Sequence, residues 1–129
     1  RRILSGRSAT VVALGPLVGG ILTAALSLPE SERPSLWVVS ELPMLEIPSE
    51  LVDDFQGSGH LVVVEEHVAQ GSAGASLAQA LLRAQTVPRR FTHRFAQGYP
   101  SGTYGSQSYH RKESDLDAAS ILKVVRTPL

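Results

Sequence analysis

The residues best suited to chemistry lie in the stretch "VVVEEHVAQGSAGASLAQALL", where an apolar block runs into Glu65, Glu66 and His67. Two carboxylates and an imidazole can serve as general acid and base or supply metal ligands. On an extended segment, Glu65 and His67 point to the same side. The other three histidines lie on separate predicted elements without metal-ligand spacing. We therefore predict no metal site and no catalytic residue, and we expect this cluster to form hydrogen bonds or ion pairs across an interface.

The turn that follows is a candidate anion site. Gly71 and Gly74 precede a helical pattern, and a helix N-terminus offers unpaired N–H groups and the positive end of the helix dipole. Neither a G-x-G-x-x-G fingerprint nor a P-loop is present there. Close packing at the start of the helix therefore remains the alternative. The candidate anion or interface site comprises Glu65, Glu66, His67, Gly71, Ser72, Gly74 and Ser76.

The composition predicts one globular domain. The 129 residues are enough for a single core, and the 12 basic and 12 acidic side chains give no reason to expect nucleic acid. The absence of cysteine excludes disulfides and thiolate metal sites and fits a reducing, cytoplasmic location. The charges are segregated, because residues 30–66 contain nine acids and one base whereas residues 67–112 contain six bases and no acid. Such a chain could dock on a charged partner.

An uncharged run from Ser8 to Leu28 superficially resembles a signal peptide or a membrane span. Its apolar period changes at Gly15-Pro16, from a continuous block to helical spacing. A strand, a tight turn and an amphipathic helix explain this pattern better than one spanning helix. We therefore predict no membrane segment.

The same alternation continues along the chain and indicates an α/β domain with a largely parallel sheet. The predicted strands are Arg2–Leu4, Thr10–Leu14, Leu36–Val39, His60–Glu65 and Phe91–Phe95. The predicted helices are Leu17–Leu28, Ser49–Phe55, Ala73–Ala84 and Asp117–Arg126. Five residues, which include Ser5-Gly6-Arg7-Ser8, separate the first two strands, so a hairpin-like connection should make the first antiparallel to the second.

Two helix starts carry capping signals. Ser49 follows Pro48 as a predicted N-cap, and Ser114 with Asp117 has the spacing of a capping box. Residues 97–108 contain three glycines and a proline and predict an exposed loop with a short helix near its end.

Four segments resemble, in order, the C-terminal domain of the transketolase family. They are "TVVALGPLVGGILTAALSL", "SLWVVSELPMLEIPSELV", "LVVVEEHVAQGSAGASLAQALL" and "SDLDAASILKVV", which together cover nearly the whole chain. Ser72 replaces a glycine that is usual in the turn, and Ser114-Asp115 stand where a glycine often precedes Leu116. The matching positions are Gly15, Pro48, Glu65, Glu66, His67, Gly71, Gly74, Leu116, Asp117 and Ile121.

The resemblance implies a three-layer α/β/α domain with a five-stranded mixed sheet of order 1-3-2-4-5 and an antiparallel first strand. Residues 1–129 would form this single domain, as a fragment of a larger enzyme. The equivalent domains of 1-deoxyxylulose-5-phosphate synthases and of 2-oxo acid dehydrogenase β subunits are similar, so these families stay open as alternatives.

The resemblance also implies a parent enzyme that uses thiamine diphosphate and Mg²⁺ to transfer two-carbon ketol units between sugar phosphates. These cofactors would lie in other domains, because this chain lacks a G-D-G…N motif. The expected role is non-catalytic, in assembly of a homodimer and in regulation. The expected partners are the remaining transketolase domains or a separate subunit that carries them. An anion- or nucleotide-binding regulatory module is the alternative.

Overall fold

A computed structural model describes residues 1–40, 46–98 and 100–129. The strands are β1 (Arg2–Leu4), β2 (Thr10–Leu14), β3 (Ser35–Val39), β4 (His60–Val64) and β5 (Arg90–Arg94). The α-helices are α1 (Leu17–Leu26), α2 (Ser49–Ser58), α3 (Ala73–Arg83), α4 (Gln107–Glu113) and α5 (Ala118–Val125), and a short 3-10 helix spans Glu30–Glu32. Residues 41–45 of the second quoted segment and Tyr99 of the predicted loop lie outside the described residues.

The strands form one mixed sheet of order β1-β3-β2-β4-β5, which confirms the predicted fold class. β2 pairs in parallel with both β3 and β4, and β5 pairs in parallel with β4. β1 runs antiparallel to its neighbour β3. The predicted direction of β1 is therefore right, but β1 and β2 do not form a hairpin, because β3 lies between them.

Close backbone packing explains why β1 reaches β3. Arg33 O accepts hydrogen bonds from Arg7 N and Ser8 N at 2.9 and 3.2 Å. A Cβ on Gly6 would lie 2.2 Å from the same carbonyl oxygen, so only glycine allows this approach. The link between the first two strands is thus held against the residues that lead into β3.

Two apolar clusters lie on opposite faces of the sheet, and the alternation of side chains along each strand separates them. On β4, Val62 and Val64 face α1 and α5, whereas Leu61 and Val63 face α2 and α3. β4 is buried along its whole length because helices cover both of its faces. This arrangement is the predicted three-layer α/β/α architecture.

The helix ends differ from the sequence predictions in ways that the backbone explains. α2 continues three residues beyond the predicted Phe55 and ends at Gly59, whose φ of 79° provides a left-handed C-cap. Ser49 is not an N-cap but the first residue inside α2, after Pro48. Asp117 alone caps α5, where it accepts from Ser120 N, and Ser114 instead accepts a hydrogen bond from Gln97 N. Both capping predictions that rested on these serines are wrong.

Within the described parts of the chain, no helix is both long enough and apolar enough to cross a membrane. The uncharged run near the N-terminus is divided between β2 and α1, as predicted. The predicted loop after β5 leads into α4, which is the short helix expected at its end.

A polar network fills the amino end of the sheet. His60 is 2% exposed and its Nε2 forms a hydrogen bond with Thr92 Oγ1 at 2.8 Å. Thr10 Oγ1 lies 3.1 Å from Ser58 Oγ and 3.3 Å from Ser35 Oγ. Burial, with a smaller effect of the nearby Arg90 charge, lowers the pKa of His60 below its ordinary value.

We expect this buried histidine to make the domain less stable in acid. The unfolded chain takes up a proton at His60 near pH 6.5, whereas the folded state resists it, so stability is complete above that pH and falls as the pH drops toward the lower folded-state pKa. Thermal unfolding between pH 7.5 and 5 should show a weaker pH dependence in His60→Gln than in the wild type. His67→Gln, which alters an exposed histidine, is the control. An unchanged pH dependence in His60→Gln would contradict the prediction.

Candidate functional site

The candidate site is built around Glu65, which follows β4 at the carboxyl end of the sheet. The side chain is buried, with the residue only 3% exposed. Oε1 accepts a hydrogen bond from Gly74 N at 2.9 Å, and Oε2 accepts one from Ala73 N at 3.2 Å. A carboxylate at the N-terminus of a helix satisfies free N–H groups and interacts favourably with the helix dipole. Glu65 therefore connects the end of β4 to the start of α3.

His93 on β5 completes this arrangement. Its Nε2 lies 2.6 Å from Glu65 Oε1, and because an ionised carboxylate only accepts hydrogen bonds, His93 donates. A Cβ on Gly74 would lie 2.3 Å from the same nitrogen, so glycine leaves the space that the imidazole occupies. One side of the ring packs against Phe95, with ring centroids 4.9 Å apart. Glu65, Gly74 and His93 thus hold β4, α3 and β5 together.

Sequence reasoning missed His93, which it treated only as an isolated histidine. The signal that could have found it was the implied order of the sheet, because adjacent parallel strands bring their carboxyl ends together. β4 and β5 are neighbours with Val63 opposite His93, so His93 lies on the same face of the sheet as the side chain of Glu65.

The other members of the predicted cluster diverge from Glu65. Glu66 forms an ion pair with Arg111 Nε of α4 and accepts from Gln107 Nε2 at 3.3 Å. His67 is exposed, and its Nδ1 contacts Val68 O at 2.7 Å. Glu65 and His67 were expected to point to the same side on an extended segment, but the strand ends at Val64 and the chain bends after it, so that condition is not met. The ion pairs seen for the two glutamates lie within the chain; their role at an interface stays a prediction.

In the turn that is the candidate anion site, groups of the chain itself bind the N–H groups at the start of α3. Gly71 has a φ of 69° and reverses the chain, and Ser72 is the N-cap of α3, where its Oγ accepts from Ala75 N at 3.1 Å. Ser76 N bonds to the backbone oxygen of Ser72 at 3.1 Å. An external anion would have to displace the Glu65 carboxylate from the first N–H groups of the helix. These residues consequently do not fit the diphosphate of a bound thiamine cofactor.

Among the described residues, no group of three or more His, Cys, Asp or Glu side chains could hold a metal ion. Glu65 and His93 form a pair, and both are committed to contacts inside the domain. The arrangement orients elements of the fold and offers no open position to a substrate at this point.

We expect Gly74→Ala to lower stability, because the added methyl group meets the imidazole of His93. Overpacking of a filled site costs about 1–3 kcal/mol. Gly19→Ala in α1 is the matched control, since a Cβ there meets nothing within 4 Å. Alanine should stabilise that exposed helical position by about 0.5–1 kcal/mol. Chemical denaturation of the two variants measures the difference, and similar free energies of unfolding would contradict the prediction.

Glu65→Gln tests the carboxylate itself. The change keeps the size of the side chain but removes the charge and replaces one acceptor oxygen with an amide N–H, which leaves a buried donor without its partner. We expect a loss of about 1–3 kcal/mol in the free energy of unfolding. Glu66→Gln is the control, because this partly exposed pair should contribute about 0–1 kcal/mol. Equal effects of the two substitutions would show that Glu65 has no special structural role.

Comparison with known sequences gives a curated relative but no family model. No protein-family model matches the chain. The chain is 37% identical over 120 residues to 1-deoxy-D-xylulose-5-phosphate synthase 2 of Geobacter sulfurreducens. The match includes 91% of this chain and 18% of the relative, so the chain spans less than a fifth of that protein's length.

Comparison with solved structures gives the same fold. A split-gene transketolase, described as an inactive beta4 tetramer, superposes with a TM-score of 0.72 and 24% sequence identity. The superposition covers 98% of this chain and 40% of the transketolase chain. The order of motifs in the sequence, the strand order of the sheet and these two similarities agree with one another. They confirm the resemblance inferred from the sequence: the chain has the fold of the transketolase C-terminal domain and is similar in sequence to part of a 1-deoxy-D-xylulose-5-phosphate synthase.

Proposed function

We propose that this chain is the non-catalytic C-terminal domain of a thiamine-diphosphate-dependent enzyme of the transketolase type. In that enzyme, two-carbon ketol units pass between sugar phosphates. Thiamine diphosphate and Mg²⁺ bind to the other domains, and this domain serves assembly and regulation. Transketolase domains on the same polypeptide, or a separate subunit that carries them, are its partners.

The closed carboxyl end of the sheet is the observation that carries this proposal. Open α/β sheets usually bind ligands outside the carboxyl ends of their strands. Here the buried Glu65 carboxylate holds the first N–H groups of α3 and the imidazole of His93. Groups that could bind phosphate or move protons are therefore used to fix the fold. A domain built in this way supports catalysis that takes place elsewhere.

The relatives support a larger assembly. The chain accounts for 18% of the length of the curated relative and 40% of the solved transketolase chain. The solved neighbour is a split-gene transketolase, which supports an arrangement with the domains on separate polypeptides. Its beta4 tetramer supports self-association of subunits that carry this fold, and we propose a homodimer as the basic unit.

A 1-deoxy-D-xylulose-5-phosphate synthase is the second candidate for the parent enzyme. The observation that favours it is the sequence identity, which is 37% to such a synthase and 24% to the solved transketolase. The same closed site would serve either enzyme, so the candidates differ in the reaction of the other domains.

The proposal predicts that the chain alone does not bind thiamine diphosphate. Its melting temperature should not change with thiamine diphosphate and Mg²⁺ at millimolar concentration, whereas binding at 100 times Kd would stabilise it by about 2.7 kcal/mol. The G-D-G…N motif should be encoded in the same reading frame or in an adjacent one. The polypeptide that carries it should form a stable complex with the chain, and light scattering measures the mass of that complex.

The complex should then be assayed for ketol transfer and for formation of 1-deoxy-D-xylulose-5-phosphate. Whichever activity appears assigns the enzyme class. A clear thermal shift of the isolated chain with the cofactor, or the lack of any complex, would contradict the proposal.

A further inference from the structure

The outer side of β5 is an open edge of the sheet. Arg90 N donates to Gly59 O at 2.9 Å, and Arg94 O accepts from Glu65 N at 3.0 Å. Since a parallel strand turns the backbone groups of alternate residues to the same neighbour, Phe91 and His93 direct their N–H and C=O groups away from β4. In the part of the chain that the structure describes, no backbone hydrogen bond reaches these outward groups. β5 can therefore accept a further strand.

Apolar side chains lie along the same edge. Phe91 on β5 is 37% exposed, Val87 before it is 55% exposed, and Leu82 near the end of α3 is 68% exposed. Residues 74, 78 and 82 form one stripe of α3, and Gly74 packs against His93 of β5. Leu82 lies about two helical turns after Gly74, next to the connection that leads into β5. We call Leu82, Val87 and Phe91 the edge patch.

The surroundings of the edge patch are basic. Arg83 and Arg89 are both exposed, and each is adjacent in sequence to the patch or to β5. Within the described residues, neither guanidinium lies within 4 Å of a carboxylate. Residues 67–112 contain no acid, and Glu46, which lines the same cavity as Arg83, forms no ion pair with it among the described residues. An apolar strip beside two exposed arginines favours a partner with apolar and acidic residues.

We infer that β5 binds an extended, acidic and apolar segment of another polypeptide, which adds to the sheet as a sixth strand. The outward groups of Phe91 and His93 provide backbone hydrogen bonds, as in other cases of strand addition. The edge patch receives alternate apolar side chains, and Arg83 and Arg89 meet the acidic ones. A second copy of the same edge is a poor occupant, because residues 67–112 contain no acid and so offer these arginines no complementary charge.

This inference rests on the proposed function only for the source of the segment, which would be a companion domain or subunit. The probe is a blocked seven-residue peptide of alternating Glu and Val, titrated into the ¹⁵N-labelled chain. We expect amide exchange at Phe91 and His93 to slow by about tenfold or more, while amides already bonded to β4 change little. The same peptide with Lys in place of Glu should bind at least about tenfold more weakly.

A double substitution tests the charges. Arg83→Glu with Arg89→Glu should weaken binding of the acidic peptide by about tenfold or more. Arg7→Glu with Lys123→Glu changes net charge equally at exposed positions away from β5 and should leave binding within about twofold. Equal effects of the two double variants, or exchange at Phe91 and His93 that does not respond to the peptide, would overturn the inference.

The companion polypeptide distinguishes this result from the proposed function. If the peptide binds but no thiamine-dependent complex forms, the strand-addition surface stands and the enzyme assignment fails. If the complex forms while exchange at Phe91 and His93 stays fast in both complex and peptide experiments, the enzyme assignment stands and the surface is wrong.

Discussion

The structure depends on one buried carboxylate. Glu65 follows β4, which lies between β2 and β5, and its two oxygens bond to the first N–H groups of α3 and to the imidazole of His93 on β5. An ionised side chain is stable at a buried position only when such partners replace water. The helix dipole and the hydrogen-bonded ring supply them. One side chain therefore fixes the angle at which the chain leaves the sheet, the position of α3 and the position of the edge strand.

This constraint explains why the carboxyl end of the sheet is closed. Gly74 has no side chain, so His93 can approach the start of α3, and the carboxylate between them takes the N–H groups that a phosphate would need. The same local pattern, a strand followed by glycines and a helix, can build either an anion site or an internal cap. The residue at the end of the strand decides between them. With Glu65 in that position, the N–H groups at the start of α3 bind a carboxylate of the chain itself in place of an external anion.

The sequence predicted the sheet well because apolar periodicity and burial have the same cause. Val62, Val63 and Val64 form a continuous apolar run, which is typical of a strand that is covered on both faces. The site was harder to predict, because its geometry depends on contacts distant in sequence: His93 and Glu65 are separated by 28 residues. Local capping signals also failed where a tertiary partner was available, as at Ser114, which bonds to Gln97 N instead of capping α5.

The segregation of charge along the sequence takes on a structural meaning in the fold. The two acids at the end of the sheet have partners within the chain: Glu65 forms a hydrogen bond with His93, and Glu66 forms an ion pair with Arg111. Arg83 and Arg89 flank the connection between α3 and β5, and neither forms an ion pair among the described residues. Charge along an open strand edge prevents random pairing, yet it also favours a complementary segment. Since the buried carboxylate of Glu65 and the imidazole of His93 are used to fix the fold, the edge of β5 is a surface where outward backbone groups, apolar side chains and exposed arginines lie together.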